Sequence, residues 1–502
     1  MKKLFTLFLV AVAAVTTWAT DYNVPVTVTV NGVTSEQMGV FTVNEHDGMY
    51  DISLKNFMLQ SEDGPMGVGN VELNGIKPYQ DGDATLLVVN DLVTITAGDD
   101  PSVPFWMSTI LPPVNIDMRG KIDGDQLRCY IDIDLTAQLG QVIQVAIGNG
   151  YQIANQGFEA WHTSTETYME PNAWHSFESA TGDLAPFAGH HIEKSADAHS
   201  GEASARLFAT SIFGIIANGT MTTGRMNAGA MIATDPANHA YIDMSLTDVD
   251  GNGNPFYTPI CTVPDSIAAW VKFKQGTPNA DHPYATISAV ITDGTRYQDP
   301  EDKEYTNVVA RAKNAQIAVT DGQWVRVTAP FIRTANTVDP KAVLVTVSTN
   351  ADAGQGSGDD EVLVDDISFV YNAKVTALKI KGHDVPGFAT GTASYDMELD
   401  EEVTAADIDV TVDGKTAHVM KTVEVEGDHY LCTVSAINAD MSVKTTYLVK
   451  VKSSAAGISN VKADGNMPAA YFTLDGRLVK TLAPGNIYIC RQADGTTTKI
   501  RR

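Results

Sequence analysis

The stretch Leu127-Arg128-Cys129-Tyr130-Ile131-Asp132-Ile133-Asp134-Leu135 places an apolar side chain at every odd position and a polar one at every even position. A period of two belongs to a β-strand with one face in a core and the other in water; a helix repeats every 3.6 residues. Working outward, Val24 to Val30, Met49 to Phe57 and Val142 to Ile147 alternate in the same way or run apolar, with Gly, Asn and Asp between them. Residues from about 21 to 149 therefore read as antiparallel β throughout. Cys129 falls on the apolar side of its strand, where a thiol acts as a small buried hydrophobe.

The same character extends over the chain. Its 502 residues suit three or four domains of roughly 100–200 residues each. Charged residues make up 19% and Gly, Thr, Val and Asp are plentiful, a balance of β-rich globular domains rather than coiled coil or disorder. The formal net charge of −27 argues against nucleic acid or an anionic membrane surface as a partner. Cys129, Cys261, Cys432 and Cys490 lie too far apart for a zinc pattern, and each falls in a different expected domain, so no domain staples itself.

At the start, Lys2 and Lys3 precede an apolar run from Leu4 to Val15 and the small-x-small site Thr17-Trp18-Ala19. This reads as a signal peptide over residues 1–19, with the mature chain starting near Thr20 or Asp21. No Cys follows the cleavage site to carry a lipid, and neither this run nor a later one is long enough for a transmembrane helix. The expected location is the cell surface or the extracellular space.

Four resemblances organise the rest. Tyr50-Asp51-Ile52-Ser53-Leu54-Lys55-Asn56-Phe57, followed by Gly67-Val68-Gly69-Asn70-Val71, resembles the calycin-like domain of exported Bacteroidetes proteins. That implies an eight-stranded up-and-down barrel over residues 20–149, filled by side chains or holding one small ligand. Next, Gly157-Phe158-Glu159-Ala160-Trp161, His199 to Leu207 and Glu361-Val362-Leu363-Val364-Asp365-Asp366-Ile367-Ser368-Phe369 resemble the galactose-binding-like jelly rolls of carbohydrate-binding modules. With the run Pro264 to Phe273, residues 150–372 also resemble the family named "putative carbohydrate metabolism domain". Residues 373–453 have the length and strand rhythm of an immunoglobulin-like or cadherin-like sandwich, with a hairpin turn expected at Asp413-Gly414. After a linker at Ser453 to Gly457, residues 457–502, with Tyr471-Phe472-Thr473-Leu474-Asp475-Gly476 and Pro484-Gly485-Asn486, resemble a type IX secretion sorting domain.

The jelly-roll resemblance implies a structural calcium held by Glu159 and Asp366, hard oxygen donors of the kind this ion selects, with carbonyl ligands near Ser200 and Gly201. Solvated edge carboxylates are the alternative. Asp248-Val249-Asp250-Gly251-Asn252-Gly253 fits the first half of an EF-hand loop, but Pro259 stands where the bidentate Glu belongs. A polar hairpin loop is expected there. Flat rings stack on the apolar faces of sugars, which makes Trp161, Trp174, Trp270 and Tyr284 the carbohydrate-binding candidates; Trp270 and Trp324 also sit in strand-like runs that suit core packing. His162, His175, His190, His191 and His199 gather in the same region without a rigid metal spacing.

No nucleophile elbow, P-loop or dinucleotide fingerprint is present. Glu166 with Glu170, or Asp365 with Asp366, would serve a glycosidase only if held across a cleft. The expectation is an all-β, exported protein that binds a glycan or polysaccharide through a calcium-stabilised jelly roll without catalysis. A structural or adhesive surface protein is the alternative, and a glycoside hydrolase a more distant one.

Overall fold

The computed structural model describes residues 18–31, 33–59, 65–165, 167–212, 214–453, 470–473, 477–479, 481–483, 486–491 and 497–501. The expected leader through residue 17, Glu166, most of the expected 453–457 linker, and Leu474-Asp475-Gly476 and Pro484-Gly485 lie outside the described residues. The chain divides into two compact units. One comprises residues 1–375, 412–420 and 436–445; the other comprises 376–411, 421–435 and 446–502.

The first unit opens with nine strands: β1 (Trp18–Val30), β2 (Val33–His46), β3 (Met49–Leu59), β4 (Met66–Ile76), β5 (Pro78–Asp81), β6 (Ala84–Val93), β7 (Val114–Asp123), β8 (Gln126–Leu135) and β9 (Gln141–Ile147). They form one curled sheet in the order β4-β3-β2-β1-β9-β8-β7-β6-β5. Nine strands stand where eight were expected because Pro78, which has no N–H to donate, separates β4 from the short edge strand β5. The sheet closes beyond β6. Asn70 on β4 and Thr96 exchange backbone hydrogen bonds of 2.7 and 3.1 Å, and the Asn70 amide donates to Ala97 O at 3.0 Å.

On β8 the odd residues Leu127, Cys129, Ile131 and Leu135 are buried in the barrel interior. Its even face does not simply meet water as the alternation suggested. Arg128 and, beside it on β7, Arg119 and Lys121 are also buried. Arg119 Nε donates to Met441 O at 2.8 Å and Arg128 Nε to Asp440 O at 3.0 Å. Tyr151 lies beneath Lys121 Nζ and the Arg128 guanidinium at 5.0 and 5.2 Å. Segments distant in sequence thus cover the outer wall, and buried cations end on carbonyls and a ring.

The middle of the first unit is a two-sheet sandwich. One sheet orders Ile192–Ser195, Ser204–Phe208, Glu361–Val370, Ser266–Lys274 and Val325–Pro330; the other orders Thr220–Thr222, Ala342–Ser348, Ala285–Thr292, Val308–Ile317 and Ile332–Arg333. Phe158, Trp174, Phe273, Ile287, Val345, Val364 and Phe369 belong to the core between them. Every residue of Ala285–Thr292 is buried. One face meets that core, while Val290 joins Ile242, Tyr297 and Leu344 in a second apolar layer. The ends of the segment meet: Gln152 exchanges hydrogen bonds with the Phe369 backbone at 2.8 and 2.9 Å, and Tyr371 Oη donates to Tyr151 O at 2.8 Å.

Beyond Asn372, Lys374–Ile380, His383–Asp384 and Ile408–Asp413 form one sheet, and Ser394–Glu398, Lys444–Lys452, His429–Ile437 and His418–Glu426 another. The hairpin expected at Asp413-Gly414 is corrected here: the strands on either side of it belong to different sheets. In the second unit, Ser394–Glu398 runs parallel to its neighbour, with Ser394 opposite Leu448. The tail strands Ala470–Phe472, Leu478–Val479, Ile487–Arg491 and Thr497–Arg501 make a small sheet of their own.

Candidate functional site

Glu159, Asp365 and Asp366 surround one loop, His199 to Ala203. Glu159 Oε1 accepts from the Glu202 and Ala203 backbone N–H groups at 2.9 and 3.2 Å. Gly201, at φ +64°, lets it approach: a Cβ there would lie 2.0 Å from that oxygen. Asp366 Oδ2 pairs with His199 Nδ1 at 2.6 Å, and Asp366 Oδ1 accepts from Ser200 Oγ at 2.8 Å. Asp365 is fully buried and accepts from the His199 and Ser200 N–H groups at 2.8 and 3.2 Å. Burial, reinforced by the Asp366 charge, pushes the Asp365 carboxyl up to about 7.

The hard oxygens of this corner fit calcium chemically. Hydrogen bonds already engage every one of these carboxylates, and among the described residues no three His, Cys, Asp or Glu side chains are grouped as a ready metal centre. An ion here would draw on the loop carbonyls as well as on Glu159 and Asp366.

The same loop carries an aromatic cluster on the outer face of the five-stranded sheet. His199 stacks on Trp270 with centroids 3.8 Å apart and planes 14° apart, and Trp324 meets the His199 ring edge-on at 6.0 Å. Lys272 Nζ sits 5.0 Å from the Trp324 ring centre and bonds Asp197 Oδ1 at 2.6 Å. Exposed Arg326 is the cross-strand partner of Trp270. Trp270 and Trp324 are half-buried, so rings and charged groups share one accessible surface.

The other ring candidates lie elsewhere. Trp174 is 0% exposed, packs 5.4 Å from Phe158 and donates Nε1 to Ala154 O; it presents no face to a sugar. Trp161 is partly buried against the core and donates Nε1 to Phe158 O. Tyr284 is 37% exposed but precedes a strand of the opposite sheet. Of the four candidates only Trp270 joins the cluster. Sequence reasoning weighed His199 only as a metal ligand and favoured the core for both Trp270 and Trp324, because alternation in Ala269-Trp270-Val271 and Gln323-Trp324-Val325 cannot tell which sheet face lies inward.

Asp248 to Gly253 forms a tight loop, in which Asp250 Oδ1 accepts from the Asn252 and Asn254 N–H groups at 2.9 and 2.8 Å. The Asp250 side chain turns inward toward His162 and His175.

The barrel interior is a different kind of site. It encloses a cavity of about 90 Å³. Phe41, Leu54, Phe57, Val71, Ile116 and Ile131 are among its walls, and among the described residues Gln141 is the single polar one in the lining.

Comparison with solved structures gives faint likenesses. At 12% identity and a TM-score of 0.33, 60% of this chain covers 95% of a Bacteroides thetaiotaomicron protein described as a "putative glycoside hydrolase". At 11% identity and a TM-score of 0.15, 99% of this chain covers 43% of the M60 catalytic domain with the CBM51-1 and CBM51-2 domains from Clostridium perfringens ZmpB. Likenesses this faint carry no argument about function. No curated protein matches the chain. The firm assignment is regional: residues 18–149 match the calycin-like beta-barrel domain family, in keeping with the curled nine-stranded sheet.

Proposed function

We propose that this protein is an exported, non-catalytic carbohydrate-binding protein. A glycan or polysaccharide would be held on the outer face of the central jelly roll. The observation that carries the reading is the accessible cluster of Trp270, His199 and Trp324, flanked by Lys272, Arg326 and Asp197. Half-buried rings offer apolar surface to the C–H faces of a sugar, and the charged groups around them can read its hydroxyls. Trp270 is thus retained as a contact residue; Trp161 and Tyr284 lie outside the proposed surface.

Calcium at Glu159 and Asp366 belongs to the same proposal as a structural ion. It would supply positive charge to a corner where burial and the Asp366 charge raise the Asp365 carboxyl. Export through the residue 1–19 leader and a sorting role for residues 457–502 complete the reading. A structural or adhesive role without sugar binding is the competing outcome.

The test is a glycan array probed with the full chain, its Trp270→Ala and Trp324→Ala variants, and the wild-type chain after chelation. Retention of a defined glycan, lost in both variants at unchanged melting temperature, supports the proposal. Silence of a folded wild-type chain across the array favours the adhesive role; reducing ends released from a polysaccharide panel would favour a hydrolase.

The apolar barrel cavity favours a second, separate reading: one small apolar molecule bound inside β1–β9. Saturable binding of 1-anilinonaphthalene-8-sulfonate, abolished by Val145→Phe, checks it. Binding unaffected by that substitution would place the dye elsewhere.

A further inference from the structure

Beneath the short hairpin Trp161–Thr163 and Met169–Pro171, two imidazoles and a carboxylate converge. His175 Nε2 lies 3.4 Å, and His162 Nε2 3.9 Å, from the same oxygen, Asp250 Oδ2. His175 is 0% exposed and His162 and Asp250 8% each. The two rings are oriented alike. His175 Nδ1 faces Gly224 O at 2.8 Å and His162 Nδ1 faces Asn172 Oδ1 at 3.2 Å. Those oxygens only accept, so each Nδ1 carries a hydrogen and each ring turns Nε2 toward Asp250.

Three atoms able to ligate a metal, His162 Nε2, His175 Nε2 and Asp250 Oδ2, therefore converge in a buried space, where Asn254 Nδ2 also donates to Asp250 Oδ2 at 3.1 Å. His162 Nε2 faces that carboxylate as a buried nitrogen with no hydrogen-bond partner. Glu170, directly opposite His162 across the hairpin and 0% exposed, also leaves Oε2 buried without a partner. Its other oxygen is bound by Ser176 and Ser179. The remaining Asp250 oxygen is fixed by the Asn252 and Asn254 N–H groups. Outer partners that hold ligand rings and carboxylates in place are a regular feature of metal sites.

The 3.4 Å between His175 Nε2 and Asp250 Oδ2 is that of neighbouring ligands. Bonds of about 2.0–2.1 Å in a tetrahedral site put neighbouring ligand atoms roughly 3.3 Å apart. No three such side chains are grouped as a ready-made centre among the described residues, and His162 Nε2, at 3.9 Å from Asp250 Oδ2, would have to move inward to join an ion.

We infer that His162, His175 and Asp250 form the ligand set of a buried divalent transition-metal site of the zinc class, with Glu170 as the nearest further carboxylate. Imidazole nitrogens mixed with carboxylate oxygen suit zinc and its neighbours better than calcium. The ion would pin the Asp248 to Asn254 loop to the hairpin, independently of the proposed calcium corner and of sugar binding.

The experiment uses the tag-free full chain, grown with zinc and desalted, with metal content read by inductively coupled plasma mass spectrometry. About one zinc per chain is expected. His162→Gln should lower zinc affinity at least tenfold, while His190→Gln and His199→Gln leave it unchanged. The cobalt-substituted wild-type chain should show the strong visible bands of a four-coordinate site, a readout that stands even if His162→Gln fails to fold. A folded wild-type chain without stoichiometric zinc and without those bands overturns the inference, as does zinc retained undiminished by folded His162→Gln.

Discussion

The barrel and the jelly roll are built from the same kind of alternating strand, yet they treat their interiors in opposite ways. The barrel keeps a nearly pure apolar lining around unfilled space and places its buried cations, Arg119, Lys121 and Arg128, on the outer wall. The jelly roll closes its core with Trp174, Phe273 and Phe158 at 1% exposure or less, and buries His162, His175, Glu170, Asp250 and Asp365 at its margins. Curling one sheet on itself leaves room in the middle; stacking two sheets interleaves side chains and pushes polar chemistry to the rim. Chemistry in the jelly roll is therefore set by charged groups, and in the barrel by shape and apolar area.

That contrast can be broken by substitution. The largest effect is expected for Phe273→Ala, which should cost the jelly roll about 3–5 kcal/mol through lost burial and a cavity, read as a lower midpoint in denaturant unfolding. A cost below about 1 kcal/mol would mean that this core is looser than described. Saturating calcium comes next. At 100 times its dissociation constant it should stabilise the chain by about 2.7 kcal/mol; Glu159→Gln should remove the melting shift, and a chelator should leave the variant unmoved.

A smaller contrast comes from overfilling. Ala289→Leu, at a 0% exposed site in the packed sandwich, should cost about 1–3 kcal/mol. Val145→Leu, facing the barrel's empty space, should cost less than about 1.5 kcal/mol or be neutral. Equal costs would show that the barrel space is not available to a side chain.

The smallest effect concerns pH. Burial raises the Asp299 carboxyl, on the small sheet of Arg225–Ala228, Asn238–Ile242 and Tyr297–Asp299 beside the sandwich, whereas a hydrogen bond from Thr136 lowers Asp134 in the barrel. A raised carboxyl favours the folded state when protonated. Its contribution is full below the unfolded value of 3.8 and is lost as pH rises through the folded value. A lowered carboxyl contributes above 3.8 and loses that contribution as pH falls through its folded value. Asp299→Asn should therefore flatten the fall in melting temperature above pH 4, while Asp134→Asn should act only on the acid side.

Legibility followed the range of the interactions. Alternation in Leu127 to Leu135 is local, so the strand and the burial of Cys129 could be read directly. The burial of Arg128 on the supposedly wet face could not, because it depends on Asp440 O more than three hundred residues away. The ninth strand was missed although Pro78 marks the break that creates it. The Asp248 to Gly253 loop was read as a polar turn, and its backbone is one. What stayed hidden was that Asp250 points inward, to histidines that follow Trp161 and Trp174 in sequence. Those Trp-His pairs were the available signal, but without a rigid metal spacing the imidazoles were set aside.

Tryptophan fluorescence of the full chain, titrated with the polysaccharide that gives the strongest array signal, tests the central claim most directly. The account predicts a saturable emission change and a dissociation constant that weakens at least tenfold in Trp270→Phe/Trp324→Phe, with the fold intact. Undiminished binding in that double variant would contradict it and move the sugar away from this surface.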